Sequence, residues 1–206
     1  MQPVAERQEG LTKGERTTVR ILDCAEDLFG RQGYGATTLR QIAAAAGIRE
    51  PGLYNHFDGK QALYGAVLDR ALAPMAHAME AQMAAGVAGY AQLPAVMTDL
   101  LLEHPAMASL FQQALRGEAD SPGNRLLRDW LERLFTLGVQ TMREVGYEEV
   151  DPADMAIQVI ALFNLTTGYF LAQRAFESMA KGSIADPDNI ARQKKLLARI
   201  QRALII

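Results

Sequence analysis

Apolar residues return at every third or fourth position along almost the whole chain, a period that admits helices and little else. Ile21, Leu22, Ala25, Leu28 and Phe29 mark one face of a helix running from Thr17, which Gly33 and Gly35 bring to an end. TTLRQIAAAAG follows, with Thr38 and Gln41 at the spacing of an amino-terminal capping box. Leu39, Ile42, Ala43 and Ala46 form its inner face, and Gly47 stops it. In GIREPGLYNHFDGK, Pro51 suits the first turn of a short third helix, where its missing N–H costs nothing. Leu53 and Phe57 then share the inward face, while Pro51 and Asn55 lie opposite. Either Asp58 or Gly59 caps the helix that begins near Lys60.

Two short helices joined at a glycine turn and packed on a longer first helix make a helix-turn-helix. A long helix follows over residues 61–85, interrupted at Pro74, where a bend is expected. Turn-forming residues signal loops at GVAG (86–89), GEADSPGN (117–124), GYEEVDP (146–152) and KGSIADPDN (181–189). Helices are expected between them, near 91–103, 105–116, 124–145, 153–180 and 189–204. No alternating strand pattern interrupts the series, so the fold class is all-α.

Charge narrows the possible partners without naming one. The net charge is −3, and residues 1–64 hold eight Lys/Arg against eight Asp/Glu. Gross attraction to a polyanion is therefore absent, and nucleic-acid binding requires positive groups sorted onto one surface. The run MAIQVIALFNLTTGYFLA (155–172) is barely long enough to cross a bilayer and carries Gln158, Asn164, Thr166 and Thr167, so it reads as a buried helix and not a membrane span. Cys24 is the only cysteine and falls in a helical apolar pattern, as a small core residue does. With no leader-like opening, a cytoplasmic location is expected.

The segment GYGATTLRQIAAAAGIREPGLYNHFDGKQALYGAVL resembles the DNA-binding signature of the TetR family of transcriptional regulators. A Thr-bearing second helix, a turn glycine, a short helix with a Leu-Tyr-x-His-Phe core and a following lysine occur in the family's order, over about residues 15–68. The resemblance implies a flexible arm over 1–14, a helix-turn-helix DNA-binding domain over 15–62, and a helical effector-binding and dimerisation domain over 63–206. It implies phosphate contacts from Thr38 and Arg40, with Arg40 also within reach of a base. Tyr54, His56 and Lys60 match positions that grip the DNA backbone. Arg49, Glu50, Pro51, Gly52 and Asn55 occupy the base-reading surface, where Asn suits adenine, Arg guanine and Glu cytosine. Gly52 departs from the Thr, Ser or Ala usual in the family. Two readings stay open for Tyr54 and His56: each either meets DNA or packs on the first helix. Lys13 and Arg16 reach phosphates from the arm or are simply solvated.

Past residue 70 the resemblance is architectural. An effector cavity is expected among Met97, Leu101, Met107, Phe111, Trp130, Leu134, Phe163, Thr166 and Phe170, although large apolar residues of a helical domain are equally its core. No charged cluster lies among them, which favours a mainly apolar small molecule. Ala161, Leu165, Gly168 and Ala172 form a small-residue face opposite Val159, Phe163, Thr166 and Phe170. With the stripe Leu196, Leu197, Ile200 and Leu204, that face is assigned to a homodimer interface, and a two-fold dimer sets paired recognition helices roughly 34–36 Å apart.

Catalysis finds little footing. His56, His77 and His104 are scattered, no metal-ligand spacing or phosphate-cradling glycine loop occurs, and no cofactor is expected. The expected function is a ligand-responsive regulator, a repressor sooner than an activator, holding a near-palindromic double-stranded DNA operator as a homodimer until a small molecule releases it. The rival is a helical ligand-binding protein whose helix-turn-helix has weak or lost DNA affinity.

Overall fold

The computed structural model describes residues 10–104, 106–117, 120–144, 151–180 and 182–204, and among them there are ten helices and no strand. Helix α1 (Lys13–Ala36) begins four residues before the expected Thr17. The reason is a capping box: the Glu15 N–H donates to Thr12 Oγ1 at 3.3 Å, and the Thr12 N–H donates to the Glu15 carboxylate at 2.7 Å. Lys13 and Arg16 are thus helical, and the segment expected to be a free arm is already ordered from Thr12. Residues 1–9 of that arm lie outside the described residues. Near its far end α1 breaks at Gly33, whose φ of +83° is accessible to glycine at no steric cost.

Helix α2 (Leu39–Ala45) starts with the anticipated box. The Gln41 N–H donates to Thr38 Oγ1 at 3.2 Å, and the Thr38 N–H to Gln41 Oε1 at 2.8 Å. Gly47 turns the chain with φ +66° into α3 (Glu50–Leu53), a single turn with Pro51 at its start. Helix α4 (Lys60–Ala84) is capped by Gly59, not Asp58, and runs through Pro74.

The remaining helices are α5 (Gly86–Glu103), α6 (Ala106–Arg116), α7 (Pro122–Glu144), α8 (Pro152–Leu171), α9 (Gln173–Ala180) and α10 (Pro187–Leu204). Two sequence expectations are corrected. GVAG is not a loop: the chain reverses at Ala85 and Gly86, whose φ is +69°, and α5 begins there. The single helix expected over 153–180 is broken at Ala172 into α8 and α9, which the Tyr169 hydroxyl fixes by donating to the Ile184 carbonyl at 2.7 Å.

One continuous core joins the molecule. Ile21, Phe29, Ile42 and Leu53 from α1–α3 are contiguous with Leu63, Val67, Leu68 and Met79 of α4, and these with Leu101, Phe111, Leu127 and Phe163 beyond. At the junction, the Phe29 and Tyr64 rings meet edge-on at 5.0 Å, and the Tyr34 ring lies tilted at 4.7 Å from Tyr64. Helix α8 is long and apolar enough to span a membrane by composition. It packs against α5, α6, α7 and α10, burying Met155, Val159, Phe163, Thr166 and Thr167. Its opposite face stays exposed in the single chain.

Candidate nucleic-acid interface and effector cavity

Helix α3 is too short to be stable alone, and its neighbours hold it. Leu53 is fully buried beneath it and Phe57 packs half-buried on the same core. The far edge faces outward: Arg49, Pro51, Tyr54 and Asn55 are exposed, and Glu50 and Gly52 half-exposed. Tyr54 is 55% exposed. Thr38 and Arg40 are exposed at the start of α2. Neither Arg40 nor Arg49 has an ion-pair partner among the described residues, so both guanidinium groups remain available to an anion.

His56 and Lys60 carry structural bonds. His56 Nδ1 lies 2.8 Å from Thr18 Oγ1, tying the end of the α3 turn to α1. Lys60 Nζ donates to the Gly35 carbonyl at 3.3 Å and sits 4.4 Å over the Tyr34 ring, bracing the corner between α1 and α4. Behind it, burial and the neighbouring Tyr34 push the Tyr64 hydroxyl up to about 12, so the Tyr64 phenol stays neutral.

A cavity of about 50 Å³, partly open to solvent, lies among α4, α5, α6, α7, α8 and α10. Seven of the nine expected residues line it: Met97, Leu101, Phe111, Trp130, Leu134, Phe163 and Thr166. The other two are corrected. Met107 is fully buried in the core outside the wall, and Phe170 turns aside to meet Tyr169 edge-on at 5.5 Å. Sequence reading missed Met75, Tyr90, Leu93, Pro94, Val159, Leu162, Thr167 and Gln201, which come from helices whose relative placement no local pattern reveals.

Helix α6 touches both the cavity and α1. On one side, the Phe111 and Phe163 rings lie 6.1 Å apart, and Gln112 Nε2 donates to Thr167 Oγ1 at 3.0 Å and Asn164 Oδ1 at 3.1 Å. On the other, Ser109 Oγ donates to the Gly30 carbonyl at 3.0 Å. Beside this contact Glu26 is buried, bonded by Arg70 of α4 and lying 3.4 Å from His104 Nδ1. Arg70 also bonds Asp23 at 2.6 Å. Burial pushes the Glu26 carboxyl up, but the His104 and Arg70 bonds outweigh it and leave the group below its ordinary value.

The expected dimer face divides. Ala161 and Leu165 are exposed, and Gly168 and Ala172 half-exposed. The same face of α8 also bares Ile157 at 65% and Ile160 at 54%, with Leu171 beyond, so it is bulkier than the small-residue stripe. On α10, Leu196 is exposed and Ile200 half-buried, but Leu197 is 1% exposed and belongs to the chain's own core, which removes it from the interface. The side chain of Leu204 lies outside the described residues. No group of three or more His, Cys, Asp or Glu that could hold a metal occurs among the described residues.

A helix-turn-helix at the amino terminus of a helical body that encloses an apolar cavity defines a class, that of two-part helical proteins with the architecture of one-component regulators. The sequence model of bacterial regulatory proteins of the tetR family matches residues 21–67, so the amino-terminal part of the chain is similar to that family. The HTH-type transcriptional repressor KstR2 of Rhodococcus jostii is 39% identical over 85 residues, which cover 41% of each chain. The match thus spans well under half of that relative's length. Solved structures extend the likeness of fold to the rest. AmtR of Mycobacterium smegmatis superposes with a TM-score of 0.64 at 20% identity, over 95% of this chain and 88% of that one. The fatty acid degradation regulator FadR of Bacillus halodurans gives 0.64 at 17% identity, over 87% and 97%.

Proposed function

We propose that the protein is a ligand-responsive transcriptional regulator that binds a near-palindromic operator as a homodimer, represses from it, and is released by a small, mainly apolar molecule. The observation that carries this reading is the outward edge of α3, where Tyr54 and Asn55 stand exposed over a helix pinned by Leu53. Thr38 and Arg40 are suited to phosphate, and Arg49, Glu50, Pro51, Gly52 and Asn55 to base edges. Tyr54 and Lys60 reach the backbone, and His56 supports them from behind through Thr18. The amino-terminal match to a repressor supports the sign of regulation, and such a regulator works in the cytoplasm.

The exposed Ile157, Ile160 and Leu165 support a second copy of the chain as partner, in contact with Leu196. The boundary between the DNA-binding and effector domains falls near residues 62–63, at the start of α4. Filling the cavity displaces α6, and α6 moves α1 through the Ser109 bond to Gly30; α4, held to Glu26 of α1 by Arg70, follows. The effector must favour the released state, because equal affinity for both states shifts nothing.

A gel-shift on DNA upstream of the protein's own gene, at a stated salt concentration, tests the reading. The wild type should bind and a Tyr54→Ala/Asn55→Ala variant should not. Failure of the wild type to discriminate this DNA from random duplex, at any salt that permits binding, leaves only a helical ligand-binding protein.

A further inference from the structure

Two polar atoms in the cavity wall have no hydrogen-bond partner among the described residues, Trp130 Nε1 and Gln201 Oε1. Both residues are deeply buried, at 8% and 1% exposure. An indole N–H can only donate, and an amide oxygen can only accept. The Gln201 amide is oriented, since its Nε2 donates to the Tyr90 carbonyl at 3.4 Å and leaves Oε1 on the other side. Buried polar groups are almost always paired, so each of these atoms awaits a partner of opposite kind.

The two residues reach the cavity wall from different helices, Trp130 from α7 and Gln201 from α10. Trp130 lies 6.1 Å from Phe163, beside α6. Gln201 meets Tyr90, whose hydroxyl donates to Met155 Sδ at 3.8 Å. Among the described residues the wall is mainly apolar and includes no Asp, Glu, Lys, Arg or His. An ionised ligand would be buried there with no counter-charge.

Resting on the effector-site reading above, we infer that the cavity takes an uncharged, mainly apolar molecule with a hydrogen-bond acceptor for Trp130 and a donor for Gln201. A carbonyl or ether oxygen meets the indole, and a hydroxyl or amide N–H meets Gln201. Carboxylates of the same size are rejected.

Trp130 is the only tryptophan, so its fluorescence reports occupancy directly. Three probes are titrated into the full chain: the methyl ester of ω-hydroxydodecanoic acid, the free acid as its carboxylate, and methyl dodecanoate, which lacks the hydroxyl. The hydroxy-ester should bind about tenfold more tightly than either of the others. Gln201→Met should remove that advantage over methyl dodecanoate while leaving the latter's affinity in place. Trp130→Phe, followed by calorimetry, should weaken both esters alike. Binding of the carboxylate as tight as the hydroxy-ester, equal binding of the two esters, or no binding of any probe overturns the inference. The wild-type comparison stands even where a variant fails to fold. Operator binding measured alongside separates the two readings. A hydroxy-ester that binds as stated without loosening DNA leaves the cavity chemistry intact and removes the effector role. Probe failure with intact DNA binding does the reverse.

Discussion

Gly30 of α1 and Ala106 of α6 approach so closely that a methyl group on the glycine would come within 2.9 Å of the alanine Cβ. Both partners are on packed helices, so neither can swing aside. Gly30→Ala should therefore destabilise by roughly 1–3 kcal/mol through overpacking. The variant should also respond differently to effector, because it pushes apart the two helices that link cavity and helix-turn-helix. Thermal melts and effector-dependent gel-shifts check both; an unchanged melting temperature would show that α6 yields freely.

Glu26 makes stability depend on acid pH. Its folded pKa is lowered, so its contribution is complete above the unfolded-state value and is lost as pH falls through the folded value. Urea denaturation midpoints should drop on the acid side of the ordinary glutamate range. Glu26→Gln should flatten that drop, and Glu26→Ala should cost roughly 1–3 kcal/mol at neutral pH by removing the bonds to Arg70 and His104, Arg70 keeping Asp23 as partner. Identical pH profiles for wild type and Glu26→Gln would contradict this assignment.

His56 is predicted to act through Thr18. His56→Ala and Thr18→Val should each cost about 1 kcal/mol, and the double variant little more than either single one, as for two ends of one bond. If the two losses simply added, the 2.8 Å contact would have no energetic content.

At Gly52 an added Cβ meets nothing within 4 Å. Gly52→Ala should stabilise by about 0.5–1 kcal/mol by narrowing the unfolded ensemble of a one-turn helix. Calorimetry checks the sign. Tighter operator binding in the same variant would follow from a stiffer α3.

Ile160→Glu places a charge on an exposed site of α8 that the single chain does not use. The monomer fold should survive, with unchanged helicity by circular dichroism, and sedimentation velocity should show the dimer dissociating. A variant that sedimented like wild type would move the interface elsewhere.

Local patterns were legible wherever a single helix decides the outcome. The inward turn of Leu53 and Phe57 and the outward turn of Pro51 and Asn55 follow from helical period alone, and the Thr38–Gln41 box was readable as spacing. The identical signature at Thr12 and Glu15 was in plain view too, but it sits in a polar stretch that reads as tail. The break at Ala172 carries no glycine or proline, so nothing local announced it. Glu26, Arg70 and His104 meet only because α1, α4 and the end of α5 converge, a relationship that no spacing encodes. Gln201 joins the cavity for the same reason, from a helix whose periodicity suggested only a stripe and a charged remainder.

Helix α8 turns Val159, Phe163 and Thr166 to the cavity and Ile157 and Ile160 to the outside. A partition one helix thick, about 10 Å, is all that separates the chamber from whatever docks on its outer surface. When that neighbour is a second copy, the two chambers are back to back across a pair of such partitions. Occupancy of one then strains the shared wall of the other, and saturation curves for the pair should depart from a simple hyperbola.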